Sequence, residues 1–209
     1  MPKATASYNG SHGRFSTGTR GEANRKGTRC DAAKIVAVAR LKLGDTAPPF
    51  ALPGVDGRTH ALDDYDGMPV AVVFSCVHCP YVVAWEERLN DIARDYSGRA
   101  ALVAINSNDH PGDTMEHMVE RARQRGFVFP FLRDETQEVA QAYMPARTPE
   151  VFLFDAERRL VYHGAPDSNH ADPQRAVPYL RQALDAVLAG TEPPVAETPP
   201  VGCTIKWRS

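Results

Sequence analysis

Val70–Tyr81 reads VAVVFSCVHCPY, and the fold turns on it. Val70 to Phe74 are apolar without a break, the pattern of a short strand buried on both faces. Ser75 follows, then the C-x-x-C of Cys76 and Cys79, with His78 between them and Pro80 directly after. From Tyr81 to Tyr96 the sequence takes on helical character. A strand that delivers a C-x-x-C to the start of a helix is suited to redox chemistry. The helix N-terminus carries partial positive charge and unpaired backbone N–H groups, and both favour a thiolate over a thiol. The spacing lets the two sulfurs close a small disulfide across the first helical turn. A protonated His78 adds a positive charge that lowers the thiol pKa further.

Outward from this unit the chain alternates element types. Ahead of it, turn signals at Pro48-Pro49, Pro53-Gly54 and Asp56-Gly57 bracket Phe50–Leu52 and Arg58–Leu62, the expected strands of a hairpin. Behind it, Ala100–Asn106 reads as a second buried strand. Asp113–Arg125 reads as a helix capped by Asp113 or Thr114, with Gly126 just past its end. Phe127–Leu132 reads as a short extended segment and Glu135–Tyr143 as a short helix, with Asp134 and Glu135 as its caps. Val151–Asp155 and Leu160–His163 form a strand pair about a turn at Asp155–Arg158. Asp172–Leu188 has Val177, Leu180, Leu184 and Leu188 at helical spacing and is expected as one amphipathic helix. Thr191–Pro200 contains four prolines and reads as an extended linker before the terminal VGCTIKWRS. The order β-α-β-α-β-β-α behind a hairpin is that of an α/β domain, its first strands parallel and its last pair antiparallel.

Charge is unevenly spread. Residues 1–43 hold nine Lys/Arg against Glu22 and Asp31, and the remainder is acidic. An acidic body argues against nucleic acid as the principal partner. No run of 18 apolar residues is present, so no membrane-spanning helix is expected. The one apolar run near the N-terminus, Ile35–Leu41, is short, broken by Arg40 and too far along for a standard signal, so a cytoplasmic location is expected. Four cysteines in 209 residues are too few for a disulfide-stapled scaffold. Residues 1–42 form a basic tail with too little apolar surface to offset the entropy of ordering, apart from a short helix over Asp31–Leu43. The tail reads as disordered, as extra residues from an upstream start codon, or as an arm for an anionic surface. The folded domain is placed at residues 43–190, and 191–209 form the linker and C-terminal tail.

The element order with C-x-x-C opening the first core helix resembles the thioredoxin fold: a mixed sheet flanked by helices, here with an N-terminal β-hairpin. The segments CVHCPYV, AINSND, FPFLRDETQEVAQAY, TPEVFLFD, LVYHG and GCTIKW together resemble a bacterial thioredoxin-family group within the AhpC/TSA (redoxin) superfamily, peroxiredoxin-like proteins carrying a C-x-x-C. The likeness runs from about Leu43 to Trp207. It implies a thiol–disulfide oxidoreductase without a cofactor or metal, acting on protein or small-molecule thiols and disulfides. Cys76, the more exposed cysteine in this fold, would be the nucleophile and Cys79 would resolve the mixed disulfide, with His78 tuning the pair. The Thr148-Pro149 bond would be cis, a state taken by about 5–6% of X–Pro bonds in folded proteins. Pro149 would then face the cysteines and, with Thr148, shape the groove for a partner's backbone.

Two departures from the family pattern bear on the site. Arg147 stands where members of the group often carry a cysteine before the Thr-Pro. A peroxiredoxin keeps the pattern P-x-x-x-T-x-x-C before a proline, and aligning Cys79-Pro80 to it puts Cys76 in place of Thr and Val72 in place of Pro. Thiol-dependent peroxide reduction at Cys79, an antioxidant activity, is therefore the alternative, with Arg147 supporting a peroxide or a thiolate. A non-catalytic binding module is a third reading. Cys203 is either a third redox cysteine that reaches the pair or a residue packing back with Ile205 and Trp207. A zinc site on the pair would need two further ligands, from His78, His163 or Cys203. Asn106, Asn108, Asp109 and His110 form a polar patch after the second strand, which binds a ligand or satisfies turn backbone.

Overall fold

The computed structural model describes residues 40–209. Cys30 and the basic N-terminal segment lie outside it, as does most of the helix expected over Asp31–Leu43, of which Arg40–Leu43 are not helical. β1 (Ala51–Pro53) and β2 (Thr59–Ala61) form the expected hairpin, with Leu52 opposite His60. There follow β3 (Val70–Phe74), α1 (Pro80–Asp95), β4 (Ala101–Asn106), α2 (Met115–Arg125), β5 (Phe131–Arg133) and α3 (Glu138–Tyr143). The chain continues with β6 (Arg147–Thr148), β7 (Glu150–Phe154), β8 (Leu160–Gly164), α4 (Tyr179–Leu188) and β9 (Cys203–Thr204). The central sheet has the order β5-β4-β3-β7-β8. β3, β4 and β5 are parallel, and β7 and β8 join antiparallel. With helices on both faces, this is a thioredoxin-like fold.

The period of two in the strands divides the core. Ala71 and Val73 of β3, Leu102 and Ala104 of β4, and Val151 and Leu153 of β7 point to one face, where Trp85, Leu89 and Ile92 of α1 and Leu180, Ala183 and Leu184 of α4 cover them. Val70, Val72, Phe74, Val103, Ile105, Phe152 and Phe154 point to the other, under Phe50, Leu62, Val139, Ala140 and Tyr143. Every residue of β3 and β7 is buried, which is why these strands read as unbroken apolar runs.

α2 begins on Thr114, whose hydroxyl accepts from the His117 N–H, and ends on Gly126 in the left-handed region at φ 59°. The last helix is shorter than expected. Its start at Asp172 is a separate 3-10 turn, Pro173–Arg175, and α4 begins only at Tyr179. Pro178 explains this, because a residue before proline is pushed out of the helical region. Val177 is accordingly 43% exposed and not part of the buried stripe. α3 likewise begins at Glu138 rather than Glu135, since Gln137 has φ 63°. Asp134 still serves the helix from outside, accepting from the Ala140 N–H at 2.9 Å.

The proline-rich stretch is extended and the tail beyond it folds back. Glu197 bridges to His163 of β8, and the Thr198 hydroxyl accepts from the Ala165 N–H at 3.0 Å. β9 then pairs antiparallel with β6, Cys203 opposite Thr148. All described residues belong to one compact unit, and none of their helices is long and apolar enough to cross a membrane.

Candidate active site

The sheet register assembles the site. β3 and β7 are antiparallel, so Phe74 at the end of β3 lies opposite Glu150 at the start of β7. The two chemical segments, Ser75–Cys79 and Arg147–Pro149, therefore leave the sheet at the same end. β4, parallel to β3, brings Asn106 there as well. Cys79 is the N-cap of α1 and Pro80, with no N–H to satisfy, takes the first helical position. The Thr148–Pro149 bond is cis, as expected.

Thr148, itself fully buried, touches both thiols of the pair. Its Oγ1 lies 3.5 Å from Cys76 Sγ, and its carbonyl oxygen lies 3.4 Å from Cys79 Sγ. The third thiol is closer still: Cys203 Sγ is 2.8 Å from Cys79 Sγ. All three cysteines are free. The tail thus both packs and reaches the pair. Ile205 is buried while Trp207 stays exposed, so only the first of these two packs as expected. Gly202 makes the approach possible, because a Cβ there would sit 2.0 Å from the Thr148 carbonyl oxygen.

The expected exposure difference within the pair is absent. Cys76 is 2% exposed and Cys79 0%, because β9 lies over them. Charge separates them instead. The hydrogen bond from Cys76 does most to pull the Cys79 thiol down to about 4; burial opposes it, and Cys203 and the amides of Val82 and Cys203 add to the pull. The helix N-terminus favours the same anion. The contact with Cys79 and burial push Cys76 up, the Thr148 hydroxyl opposing. Cys203 is raised to about 11, by burial first and then by Cys79, against the positive charges of Lys206 and Arg147. Arg147 is exposed and pairs through its backbone with Thr204, so its charge is felt at the third cysteine.

His78 has a partner that sequence reading missed. Its Nδ1 lies 2.6 Å from Oδ2 of Asp113, a fully buried carboxylate, and the His110 ring stacks on it with centroids 4.0 Å apart. The sequence suggests only a helix cap for Asp113. Here it accepts from the Val77 N–H at 2.7 Å and from the side-chain amides of Asn106 and Asn108 at 3.2 and 3.3 Å. The polar patch after β4 therefore serves to hold a buried carboxylate against the C-x-x-C. Cys76, His78 and Asp113 are also the described residues that could hold a metal, their ligand atoms lying within 4.8 Å of one another. Both Asp113 oxygens already accept hydrogen bonds, and His163, expected as a candidate ligand, is turned to Glu150 instead.

Glu150 is the second missed residue. Its buried carboxylate accepts from the Ala146 and Arg147 N–H groups at 2.7 and 2.8 Å and lies 2.6 Å from His163 Nε2 and from Arg40 Nη2. Burial pushes it up, but the His163 contact and the two amides outweigh that and hold it below the ordinary carboxylate range. It fixes the loop that carries Thr148-Pro149. The sequence signal was a lone acid opening an apolar strand, TPEVFLF.

Solved structures share this frame. A hypothetical protein of Sinorhizobium meliloti 1021 is 40% identical, with a TM-score of 0.76 over 82% of this chain and 97% of that one. An uncharacterized conserved protein of Geobacillus kaustophilus is 41% identical, with a TM-score of 0.74 over 80% of this chain and 93% of that one. The thiol-disulfide oxidoreductase ResA of Geobacillus thermodenitrificans is 31% identical over 116 residues, 55% of this chain and 64% of the relative's length. The sequence pattern of the AhpC/TSA family matches residues 43–163, more than half of the chain, and the protein belongs to that family.

Proposed function

We propose that this protein is a thiol–disulfide oxidoreductase working through Cys76 and Cys79 on protein or small-molecule thiols and disulfides. The observation that carries this reading is the placement of both sulfurs at the N-terminus of α1, against the cis Thr148-Pro149. In the oxidised pair, an external thiolate attacks Cys76 Sγ and Cys79 departs as the thiolate its surroundings stabilise, a lower-pKa thiol leaving faster. The second thiol of the reductant then attacks its own sulfur bound to Cys76 and frees the Cys76 thiolate. One disulfide forms on the reductant for each one lost here. The reverse sequence reduces a disulfide partner and restores the Cys76–Cys79 disulfide. The likeness to a relative named as a thiol-disulfide oxidoreductase supports the same reaction class.

Insulin reduction driven by dithiothreitol tests this. The wild type should accelerate precipitation, and both Cys76→Ser and Cys79→Ser should lose that acceleration. A wild type with no acceleration overturns the reading. Peroxide consumption that survives in Cys76→Ser and vanishes in Cys79→Ser would assign peroxide reduction instead.

A further inference from the structure

We propose that Cys203 is a third redox residue, held by β9 along the edge where an extended substrate would pair, and that it exchanges with the oxidised pair to give a Cys79–Cys203 disulfide and a free Cys76. This rests on the reading of Cys76 and Cys79 as a redox pair.

The edge argument comes first. An extended peptide binds a free strand edge by adding main-chain hydrogen bonds to it. The available edge beside the two cysteines is β6, directly before the cis proline, and β9 already pairs with it through Arg147–Thr204 and Thr148–Cys203. The chain's own tail thus takes the place of a partner backbone and puts a cysteine where a partner's sulfur would have to be.

The placement is built from both sides. Before Cys203, Gly202 presses against the Thr148–Pro149 peptide at φ +156°, where a Cβ would meet backbone at 2.0 and 2.6 Å. After it, Ile205 is buried, and the Lys206 N–H donates to Asn108 Oδ1 at 2.8 Å. The Lys206 carbonyl oxygen accepts from the Asp109 N–H at 2.7 Å and from Gln137 Nε2 at 2.8 Å. Fixed at these points, Cys203 Sγ stands 2.8 Å from Cys79 Sγ, less than about 1 Å beyond the bond length of a disulfide. Cys203 is also the one member of the trio that is not buried, so it is the sulfur an external dithiol meets.

The step balances without an outside oxidant. The Cys203 thiolate attacks Cys79 Sγ of the Cys76–Cys79 disulfide; the 79–203 bond forms, the 76–79 bond breaks, and Cys76 leaves as a thiolate beside the Thr148 hydroxyl. The proton lost by Cys203 is available to Cys76, and the protein still holds one disulfide. An external dithiol can then attack the accessible Cys203 Sγ, releasing Cys79 as a thiolate, and its second thiol displaces Cys203 as the reductant's own disulfide closes. In the oxidised pair Cys79 no longer carries charge, which removes two of the three upward influences on Cys203 and leaves burial opposed by Lys206 and Arg147.

The test is disulfide mapping of the full chain after equilibration in a glutathione redox buffer and acid trapping. Trypsin places Cys76 and Cys79 together in residues 59–88 and Cys203 alone in residues 182–206, so a cross-link between the two peptides is diagnostic. The wild type should show the 76–79 disulfide together with the cross-link. Cys76→Ser should give the cross-link as its main product. Gly202→Ala, which keeps every thiol but forces the tail off the proline loop, should reduce the cross-link at least tenfold while the 76–79 disulfide still forms. If 76–79 forms in the wild type and no cross-link appears there or in Cys76→Ser, the proposal is overturned and the redox pair stands. A cross-link unchanged in Gly202→Ala overturns the β9 placement. If no 76–79 disulfide forms at all, the pair itself fails and this proposal with it.

Discussion

Asp113 holds His78, carboxylate Oδ2 to imidazole Nδ1 at 2.6 Å, and the contact lies beside Cys76 rather than in open solvent. The Asp113 charge is among the influences that raise the Cys76 pKa, and His78 is the hydrogen-bonding partner of that carboxylate. Removing either should move the redox potential of the pair in opposite directions. Asp113→Asn takes away the anion, eases ionisation of Cys76, stabilises the reduced state and makes the disulfide more oxidising. His78→Val takes away the partner of Asp113 Oδ2, leaves the carboxylate charge less compensated beside Cys76, and makes the pair more reducing. A tenfold change in either equilibrium is about 30 mV. Glutathione redox titration of the two variants should show shifts of opposite sign; shifts of the same sign would mean that His78 and Asp113 do not act through charge at Cys76.

The low pKa of Cys79 predicts a pH dependence of stability in the reduced protein. Cys79 falls from 9.0 to about 4 on folding, chiefly through the hydrogen bond from Cys76. Between those values the unfolded chain binds the proton and the folded chain does not, so stability rises with pH. The contribution is complete above pH 9 and is lost as pH falls towards 4. Cys203 acts in the opposite sense above pH 9, because its folded value is raised to about 11. Urea unfolding under reducing conditions should show the rise in the wild type and a shallower one in Cys79→Ser. Absorbance of a thiolate near 240 nm should persist to about pH 4 only in the wild type.

Glu150 supports the proline loop from below, and Glu150→Gln should destabilise the fold by about 3 kcal/mol, the cost of breaking a buried ionic contact on one side. Its pKa is lowered from 4.5, so its contribution is present above that value and disappears as pH falls through the lower folded value. The variant should therefore lose stability near neutral pH and show a weaker acid limb than the wild type. Chemical denaturation at pH 7 and pH 4 checks both parts.

What the sequence showed of this site was what is local in it. The C-x-x-C sits between an unbroken apolar strand and a helix, and Thr148-Pro149 precedes another such strand, so both halves of the site could be read from neighbours in the chain. Asp113, Asn108 and Gln137 could not, because each acts on a segment far away in sequence: Asp113 on Val77 and His78, Asn108 and Gln137 on Lys206. A polar side chain in a loop reads as a turn former unless the fold that buries it is known. Cys203 is visible, but its distance to Cys79 depends on a tail that first runs beside β8 and then pairs with β6. The helix boundary at Asp172 failed for a local reason that was legible, since Pro178 forbids the continuous helix its apolar spacing suggests.

Gln137 gives a way to loosen the tail without touching a cysteine. Its Nε2 donates to the Lys206 carbonyl oxygen at 2.8 Å, and its Oε1 accepts from the Arg208 N–H at 2.8 Å. A typical intramolecular hydrogen bond contributes about 1 kcal/mol net, so Gln137→Ala should shift the tail towards its open state by about 2 kcal/mol, roughly thirtyfold. The Lys206 amide, bonded to Asn108 Oδ1 at 2.8 Å, reports that opening through hydrogen exchange. Its protection should fall about thirtyfold in the variant, while amides in the middle of α1 keep theirs because the core clusters do not include Gln137. The same variant should let an external disulfide peptide reach Cys76 faster, since β9 must leave β6 before another strand can pair there. Equal loss of protection at α1 would show that Gln137 supports the whole domain and not the tail.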